Sequence, residues 1–262
     1  MRIRRISLLL LISLLLSACG AAVPAESTLP VTIPATELPA ETTAPGTVPT
    51  TEPLPEHCDL FLPGLSADDL VLFFNEVCLD AEITHSGDPS LLQKWTAPIR
   101  YTVFGSPTQE DTAVLTGFVD WLNTIEGFPG IGEAASVHEQ NLRIYFCDQE
   151  ELLTLMGDNF IGMDGAVTFW YDFDVIYDGI ICIRTDLDQH LRNSVILEEL
   201  YNCLGPIQDT SLREDSIIYA GYSEPQSLTE VDELILKFLY HPVLECGMNA
   251  RECEILIREL YS

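Results

Sequence analysis

Two adjacent glutamates and a nearby asparagine have side chains that could bind a cation or move a proton of a bound water. Glu198, Glu199 and Asn202 lie in the segment RNSVILEELYNCLGP, whose apolar residues recur at helical spacing until Gly205 and Pro206. Separations of four and seven residues place Glu198, Asn202 and Gly205 on one helix face, with Glu199 about 100° away. The sequence therefore predicts a helix that presents side-chain oxygens to one side.

This spacing resembles the signature of the metzincin zinc proteases, H-E-x-x-H-x-x-G-x-x-H/D, which a serine-isoleucine-methionine turn follows. In that comparison Glu198 and Asn202 stand where the two helical zinc histidines would be. Glu199 stands at the general-base glutamate, and Gly205 stands at the glycine where the chain turns back. The resemblance implies the layout of a metzincin site without its histidine ligands.

The segment after the helix continues the same resemblance. Gln208 or Asp209 stands near the third ligand position, with Asp209 one residue late. The stretch 216–219, Ser-Ile-Ile-Tyr, resembles the methionine turn, with Ser216 at its start and Ile218 in place of methionine. The resemblance therefore implies a structural role for Gly205, Ser216 and Ile218.

A second resemblance is to a bacterial domain family of unknown function that is related to the metzincins. Its motifs have the form E-E-L-x-Q-x-L-G-L-x-x-D, S-I-F, L-T-x-x-D and L-Y-D-P-R-L-x-x-G-M. This chain has EELYNCLGPIQD, SII, LTEVD and LYHPVLECGM, within a match from about residue 60 to 262. It departs from the family at Asn202, Pro206, His241 and Val243. The resemblance implies an α+β, metzincin-like domain with a mixed sheet and a signature helix.

The side chains at the ligand-like positions are poor zinc ligands. A catalytic zinc normally takes three nitrogen, sulfur or carboxylate ligands plus water, whereas Asn202 and Gln208 offer neutral amide oxygens. Such oxygens suit calcium or magnesium better. Without a Lewis acid, Glu199 has no activated water to deprotonate. We therefore expect no cofactor and no catalysis, with a divalent metal at Glu198, Asn202 and Asp209 as the alternative.

The first 18 residues have the pattern of an export signal. Arginines precede an apolar run that is too short to span a bilayer, and Leu-Ser-Ala leads into Cys19. Cys19 after these small residues resembles the bacterial lipobox, in which the cysteine thiol receives a diacylglycerol. We expect a protein anchored to the outer side of a bacterial membrane by its lipid.

Residues 19–56 form a second region, rich in proline and threonine and without lysine or arginine. Such a segment cannot bury enough apolar surface to fold, so it predicts an extended linker. Residues 57–262 then form one domain with a sizeable core. We predict helices over 66–80, 107–125, 192–204, 228–240 and 249–261. We predict strands over 99–104, 142–147, 167–171 and 176–183.

Seven cysteines remain if Cys19 is lipidated, and an exported protein is expected to form disulfides. Closeness in sequence suggests the pairs Cys58–Cys78 and Cys246–Cys253. Because seven is odd, at least one thiol stays free, and helical periodicity favours Cys203. An anaerobic source with reduced thiols fits equally well.

The net charge of −29 narrows the range of partners. An acidic surface repels phosphate backbones, so nucleic acid is excluded as a natural partner. We expect the membrane as one partner, through the lipid, and an envelope protein or peptide as another. Three functions stay open: a non-catalytic binding or envelope-assembly module, a metal-dependent hydrolase built around Glu199, and a purely structural envelope protein.

Overall fold

The computed structural model describes residues 60–79 and 90–261. The predicted signal peptide, Cys19, the linker and Cys58 lie outside the described residues. Within those two ranges no helix is both long and apolar enough to cross a membrane.

A six-stranded sheet forms the centre of the fold, in the order β1-β6-β4-β2-β3, with β5 paired to β6. All neighbours run parallel except β5 and β6, which are antiparallel. The strands are β1 Lys94–Trp95, β2 Ile99–Gly105, β3 Ile131–Glu133, β4 Leu142–Cys147, β5 Gly165–Asp172 and β6 Val175–Arg184. The predicted mixed sheet is confirmed.

Both faces of the sheet are covered, as expected for parallel strands. Side chains alternate along each strand, so Ile181 and Ile183 of β6 lie in the main core and Cys182 points to the other face. Cys182 and Cys147 belong to a smaller apolar cluster there, together with Leu152. The two faces therefore have separate apolar cores.

Six α-helices surround the sheet in the described ranges. They are α1 Ala67–Leu79, α2 Gln109–Leu122, α3 Gln149–Met156, α4 Gln189–Asn202, α5 Glu230–Leu239 and α6 Ala250–Leu260. Capping residues explain where several of them begin: Asp188 accepts from Leu191 N, so α4 begins three residues before the predicted Arg192. A domain of helices combined with a mixed sheet is thus confirmed.

Helix α4 is buried almost all round. Every residue from 191 to 204 is buried except Glu198, which is half-buried. A helix buried on all sides is normally apolar throughout. This one instead contains five buried polar side chains, which are Arg192, Asn193, Ser194, Glu199 and Asn202. Because burying polar groups costs free energy, α4 is where a functional site is most expected.

The β5–β6 hairpin turns through two residues with left-handed backbone. Phe173 has φ 48° and Asp174 has φ 61°, the conformation of a two-residue hairpin loop with positive φ at both positions. The Phe173 side chain is 88% exposed. The loop therefore presents an aromatic ring at its tip.

Candidate functional site

The first turn of α4 is fixed to α2 by a buried ion pair. Arg192 Nε donates to Asp111 Oδ1 at 2.8 Å, and its Nη1 donates to the main-chain oxygens of Thr185 and Leu187. Burial tends to raise the pKa of Asp111, but hydrogen bonds from Arg192, Thr108 and others lower it below its ordinary value. The network leaves both charged groups partnered, which is what a buried ion pair requires.

The last turn of α4 is held by aromatic donors. Trp95 Nε1 donates to Cys203 O and Tyr240 Oη donates to Leu204 O, both at 2.8 Å. These bonds satisfy carbonyls that have no partner within the helix. Gly205 then turns with φ 131°, and a Cβ built there would lie 2.6 Å from Gln93 O. The close approach of two main chains explains why glycine occupies this position.

Glu199 lies between α4 and the edge of the sheet, and only 2% of it is exposed. It packs against Gly165 at the start of β5, where an added Cβ would lie 2.7 Å from Glu199 Oε1. Burial and then the charge of Glu199 raise the pKa of the Cys203 thiol. The carboxyl group is therefore placed under β5 and out of bulk solvent.

A stripe of three polar residues runs along α4 at four-residue spacing: Ser194, Glu198 and Asn202. Asn202 is 2% exposed, and its Oδ1 accepts no hydrogen bond from any residue the structure describes. Ser194 Oγ is likewise buried without such a bond within the described ranges. A buried polar atom of this kind is costly and requires an explanation, so the stripe belongs to the candidate site.

The segment 216–219 forms a turn, closed by Tyr219 N donating to Ser216 O at 3.3 Å. Ser216 and Ile218 are both fully buried. Ser216 Oγ donates to Asp232 Oδ1 at 2.6 Å, and Ile217 N donates to Asp232 Oδ2 at 3.2 Å. Tyr201 of α4 donates its hydroxyl to Asp232 O at 3.0 Å. The turn and α4 are therefore linked through Asp232 at the start of α5.

The segment at Gln208 and Asp209 connects the end of α4 to this turn. Both residues are half-buried, and the next residue, Thr210, donates its N–H to Ile218 O at 2.8 Å. In the described ranges no group of three or more His, Cys, Asp or Glu is placed to hold a metal ion. Glu198, Glu199 and Asp209 are thus not assembled into a carboxylate cluster.

Residues 67–259, from the start of α1 almost to the end of α6, match the family model described as a protein of unknown function, DUF2927. The chain belongs to the DUF2927 family. Membership of a domain family of unknown function was predicted from the motifs and is confirmed. No curated protein matches the chain.

The cysteines described in this DUF2927 domain are all free thiols. The disulfide predicted between Cys246 and Cys253 is not formed in this structure, and Cys78 is free as well. Cys253 is fully buried within α6, and Cys246 Sγ instead donates to Lys94 O at 3.7 Å. Both thiols lie near Lys94 without being bonded to each other, so closeness in sequence did not predict the pairing.

Two residues of the site, Asp111 and Gly165, were missed by sequence reasoning, and Asp232 was included only within the LTEVD motif, without a role. Asp232 had a detectable signal, because Thr229 and Asp232 form a capping box at the start of α5. Thr108 and Asp111 form the same motif at α2. No local sequence pattern marks Gly165. Its lack of a side chain leaves space for Glu199, which is distant in the sequence.

Proposed function

We propose that this protein is a lipid-anchored, non-catalytic module on the outer side of a bacterial membrane that binds extended, basic peptide segments along strand β5. The proposed fold is that of a metzincin-like peptidase in which other residues replace the zinc-binding histidines. The single observation that supports this most is an antiparallel edge strand with outward main-chain groups, directly above the buried Glu199.

The hydrogen-bond pattern identifies which groups of β5 are available. Arg184 N donates to Asp164 O at 3.1 Å, and the antiparallel register pairs Gly165 with Ile183. Because paired and unpaired positions alternate, the main-chain groups of Gly165, Val167 and Phe169 point away from β6. No other strand among the described residues pairs with β5. Gly165, Val167 and Phe169 are buried in the described structure, so an extended peptide adds to this edge as a further strand once the edge is uncovered.

The charge of the chain selects the peptide. Acidic residues Asp172 and Asp174 lie at the end of the β5–β6 hairpin, and the whole chain has a net charge of −29. Opposite charge speeds association and disfavours acidic competitors. The preferred ligand is thus an extended segment rich in lysine or arginine.

The residues at the ligand-like positions support the proposal that the module is non-catalytic. Glu198 and Asn202 occupy the places of the two helical histidines, and Asn202 offers a neutral amide. Glu199 remains buried under β5 beside Gly165, at the general-base position. In the proposed module the carboxyl group of Glu199 lies beneath the bound peptide and supports strand β5.

The test uses the soluble domain with wild-type sequence and fluorescent synthetic peptides of basic, neutral and acidic composition. A basic peptide is expected to bind, with affinity falling as salt rises. Versions of that peptide N-methylated at successive residues then probe the mode of binding. Methylation at alternate residues should abolish binding, because only every second N–H faces β5. Equal binding by all methylated versions would refute addition to the edge strand.

The alternative of a metal-dependent hydrolase is favoured by one observation, the buried Asn202 Oδ1 next to Glu199 on α4. Peptide cleavage in the presence of added calcium, magnesium or zinc, lost in Glu199→Gln, would establish it. Peptide binding that is unchanged in Glu199→Gln, without cleavage, supports the non-catalytic module. A protein that neither binds nor cleaves peptides would be a structural envelope component.

A further inference from the structure

A small apolar cluster lies on the sheet face opposite α4 and contains an unusual share of sulfur. Its buried members include Cys147 at the end of β4, Cys182 in β6 and Met163, and the partly buried Met156 packs against it. Cys147 is 3% exposed and Cys182 is fully buried. Two thiols and two thioethers therefore share one apolar cluster, against which residues of α3 pack.

The two thiols lie on the same face of adjacent strands and belong to the same apolar cluster. Interaction between them lowers the pKa of Cys147, and the same interaction together with burial raises the pKa of Cys182. The two sulfur atoms are therefore near enough for each to affect the ionisation of the other.

The strand register makes a disulfide a poor fit for this pair. Cys182 is the partner of Tyr145, and Cys147 is the partner of Arg184, so the two cysteines are offset by two residues on adjacent strands. Two residues along a strand and one strand across give a Cα–Cα distance of about 8 Å. A disulfide requires a Cα–Cα distance of no more than about 7 Å unless the backbone moves.

A metal ion spans such an offset without moving the strands. A metal–sulfur bond is about 2.3 Å long, so an ion between two sulfur atoms holds them up to about 4.6 Å apart. Thiolate and thioether ligands favour soft metals, Cu(I) among them, and thiolates also bind zinc. We propose that Cys147 and Cys182 form a binding site for one Cu(I) ion, with Met163 as the neighbouring thioether.

Zinc does not fit the same pocket. It normally takes four ligands from cysteine, histidine or carboxylate side chains. In the described ranges no three such side chains are grouped to hold a metal. Cu(I) is satisfied by two sulfur ligands, so the pair suffices for it.

Binding exchanges protons for the ion without electron transfer. Both thiols lose their protons to water as two copper–sulfur bonds form, and copper enters and stays as Cu(I). The carboxylates of Asp148, Glu151 and Glu199 oppose loss of these protons. Binding is therefore expected to tighten as pH rises.

Helix α3 controls access to the site. Only one of its eight residues, Leu152, is buried, and it ends at Gly157 with φ 97°. Leu153, Leu155 and Met156 are only partly buried against the cluster, and a short helix with few buried residues opens at lower free-energy cost than the core. Local opening of α3 admits the ion to a pocket that is closed in the resting structure.

The experiment titrates the reduced domain, without oxygen, into a coloured Cu(I)–chelator complex and follows the loss of colour. The wild-type protein is expected to remove one Cu(I) per chain. Cys147→Ala and Cys182→Ala should each abolish this competition, and Met163→Leu should weaken it. Matched controls are Cys78→Ala and Cys253→Ala, which remove buried thiols from α1 and α6 and should retain full competition.

A second measurement needs only wild-type protein. Bound Cu(I) should slow alkylation of Cys147 and Cys182 and leave alkylation of Cys78 and Cys203 unchanged, as mapped by peptide mass. Failure to compete with the chelator, or equal protection of all four thiols, would overturn the proposal. So would zinc competing equally well, or a Cys147–Cys182 disulfide in the exported protein.

Discussion

Two glycines determine how the C-terminal half of α4 packs. Gly165 leaves the space that Glu199 fills beneath β5, since an added Cβ would lie 2.7 Å from Oε1. Gly205 allows the chain after α4 to approach Gln93 O with φ 131°. At both positions the absence of a side chain provides the space that the neighbouring atoms occupy. The position of Glu199 therefore depends on two glycines that have no reactive group.

Replacing Gly205 by alanine should destabilise the domain. The left-handed backbone alone costs an L-residue about 1–2 kcal/mol, and the contact with Gln93 O adds to that. Urea unfolding measures the loss. The matched control is Gly117→Ala in the middle of α2, where a Cβ meets nothing within 4 Å and should stabilise the helix by about 0.5–1 kcal/mol. Equal effects of the two substitutions would contradict this account of Gly205.

Gly165→Ala should destabilise the domain by about 1–3 kcal/mol through overpacking, because the new methyl group collides with Glu199 and Val195. Glu199→Ala in the same chain should recover part of that loss, since it removes two of the three closest atoms. A double-mutant cycle in urea measures the coupling between the two sites. Simple additivity of the two changes would show that Glu199 does not pack there.

Helices α2 and α4 are joined at their first turns by Asp111 and Arg192. The pair is buried, with side-chain exposures of 1% and 8%. Asp111 also forms the capping box of α2 with Thr108. One carboxyl group therefore caps α2 and, through Arg192, holds α4. Removing one member of such a buried pair commonly costs about 3–5 kcal/mol. The orientation of Glu198 and Glu199 thus depends on an ion pair two turns away.

The lowered pKa of Asp111 predicts how the stability contributed by this ion pair depends on pH. Because the folded-state pKa lies below the ordinary value of an aspartate, the carboxylate stabilises the fold fully above that ordinary value. The contribution is lost as pH falls through the lower folded-state pKa. Asp111→Asn should therefore destabilise the domain most near neutral pH and progressively less at acid pH. A pH-independent difference in urea unfolding would contradict this.

Long, periodic elements could be predicted from the sequence, whereas short ones could not. Strand β4 was predicted with its observed bounds, 142–147, because buried and half-buried residues alternate along most of its length. Strands β1 and β3 have two and three residues, too few to show a period. Helix α3 was missed because only Leu152 is buried, so its apolar pattern is faint. Glu199 was found by spacing along one helix, but Gly165 and Asp111 meet α4 only in the folded chain.

The molecule as a whole has many more acids than bases, 41 against 12. Several arginines are already committed to ion pairs, with Arg143 on Asp178, Arg184 on Asp186 and Arg258 on Asp68 and Glu254. The unpaired remainder of the charge is therefore almost entirely negative. Such an excess keeps copies apart and attracts cationic segments.

Anchoring of the whole molecule is tested at Cys19. Metabolic labelling with a radioactive fatty acid should mark the wild-type protein and fail to mark Cys19→Ser. The unlabelled variant should leave the membrane fraction. Cys78→Ser serves as the control, because a buried thiol on α1 is no substrate for lipid transfer. Labelling of Cys19→Ser would place the lipid elsewhere.

The tip of the β5–β6 hairpin is built from residues that fit its backbone badly. Phe173 and Asp174 occupy a conformation that asparagine and glycine adopt with less strain. A thermostable form of the protein is thus available from two surface substitutions far from the core. Because the chain keeps the solvent-exposed Phe173 at this strained position, the hairpin tip limits the thermal stability of the protein.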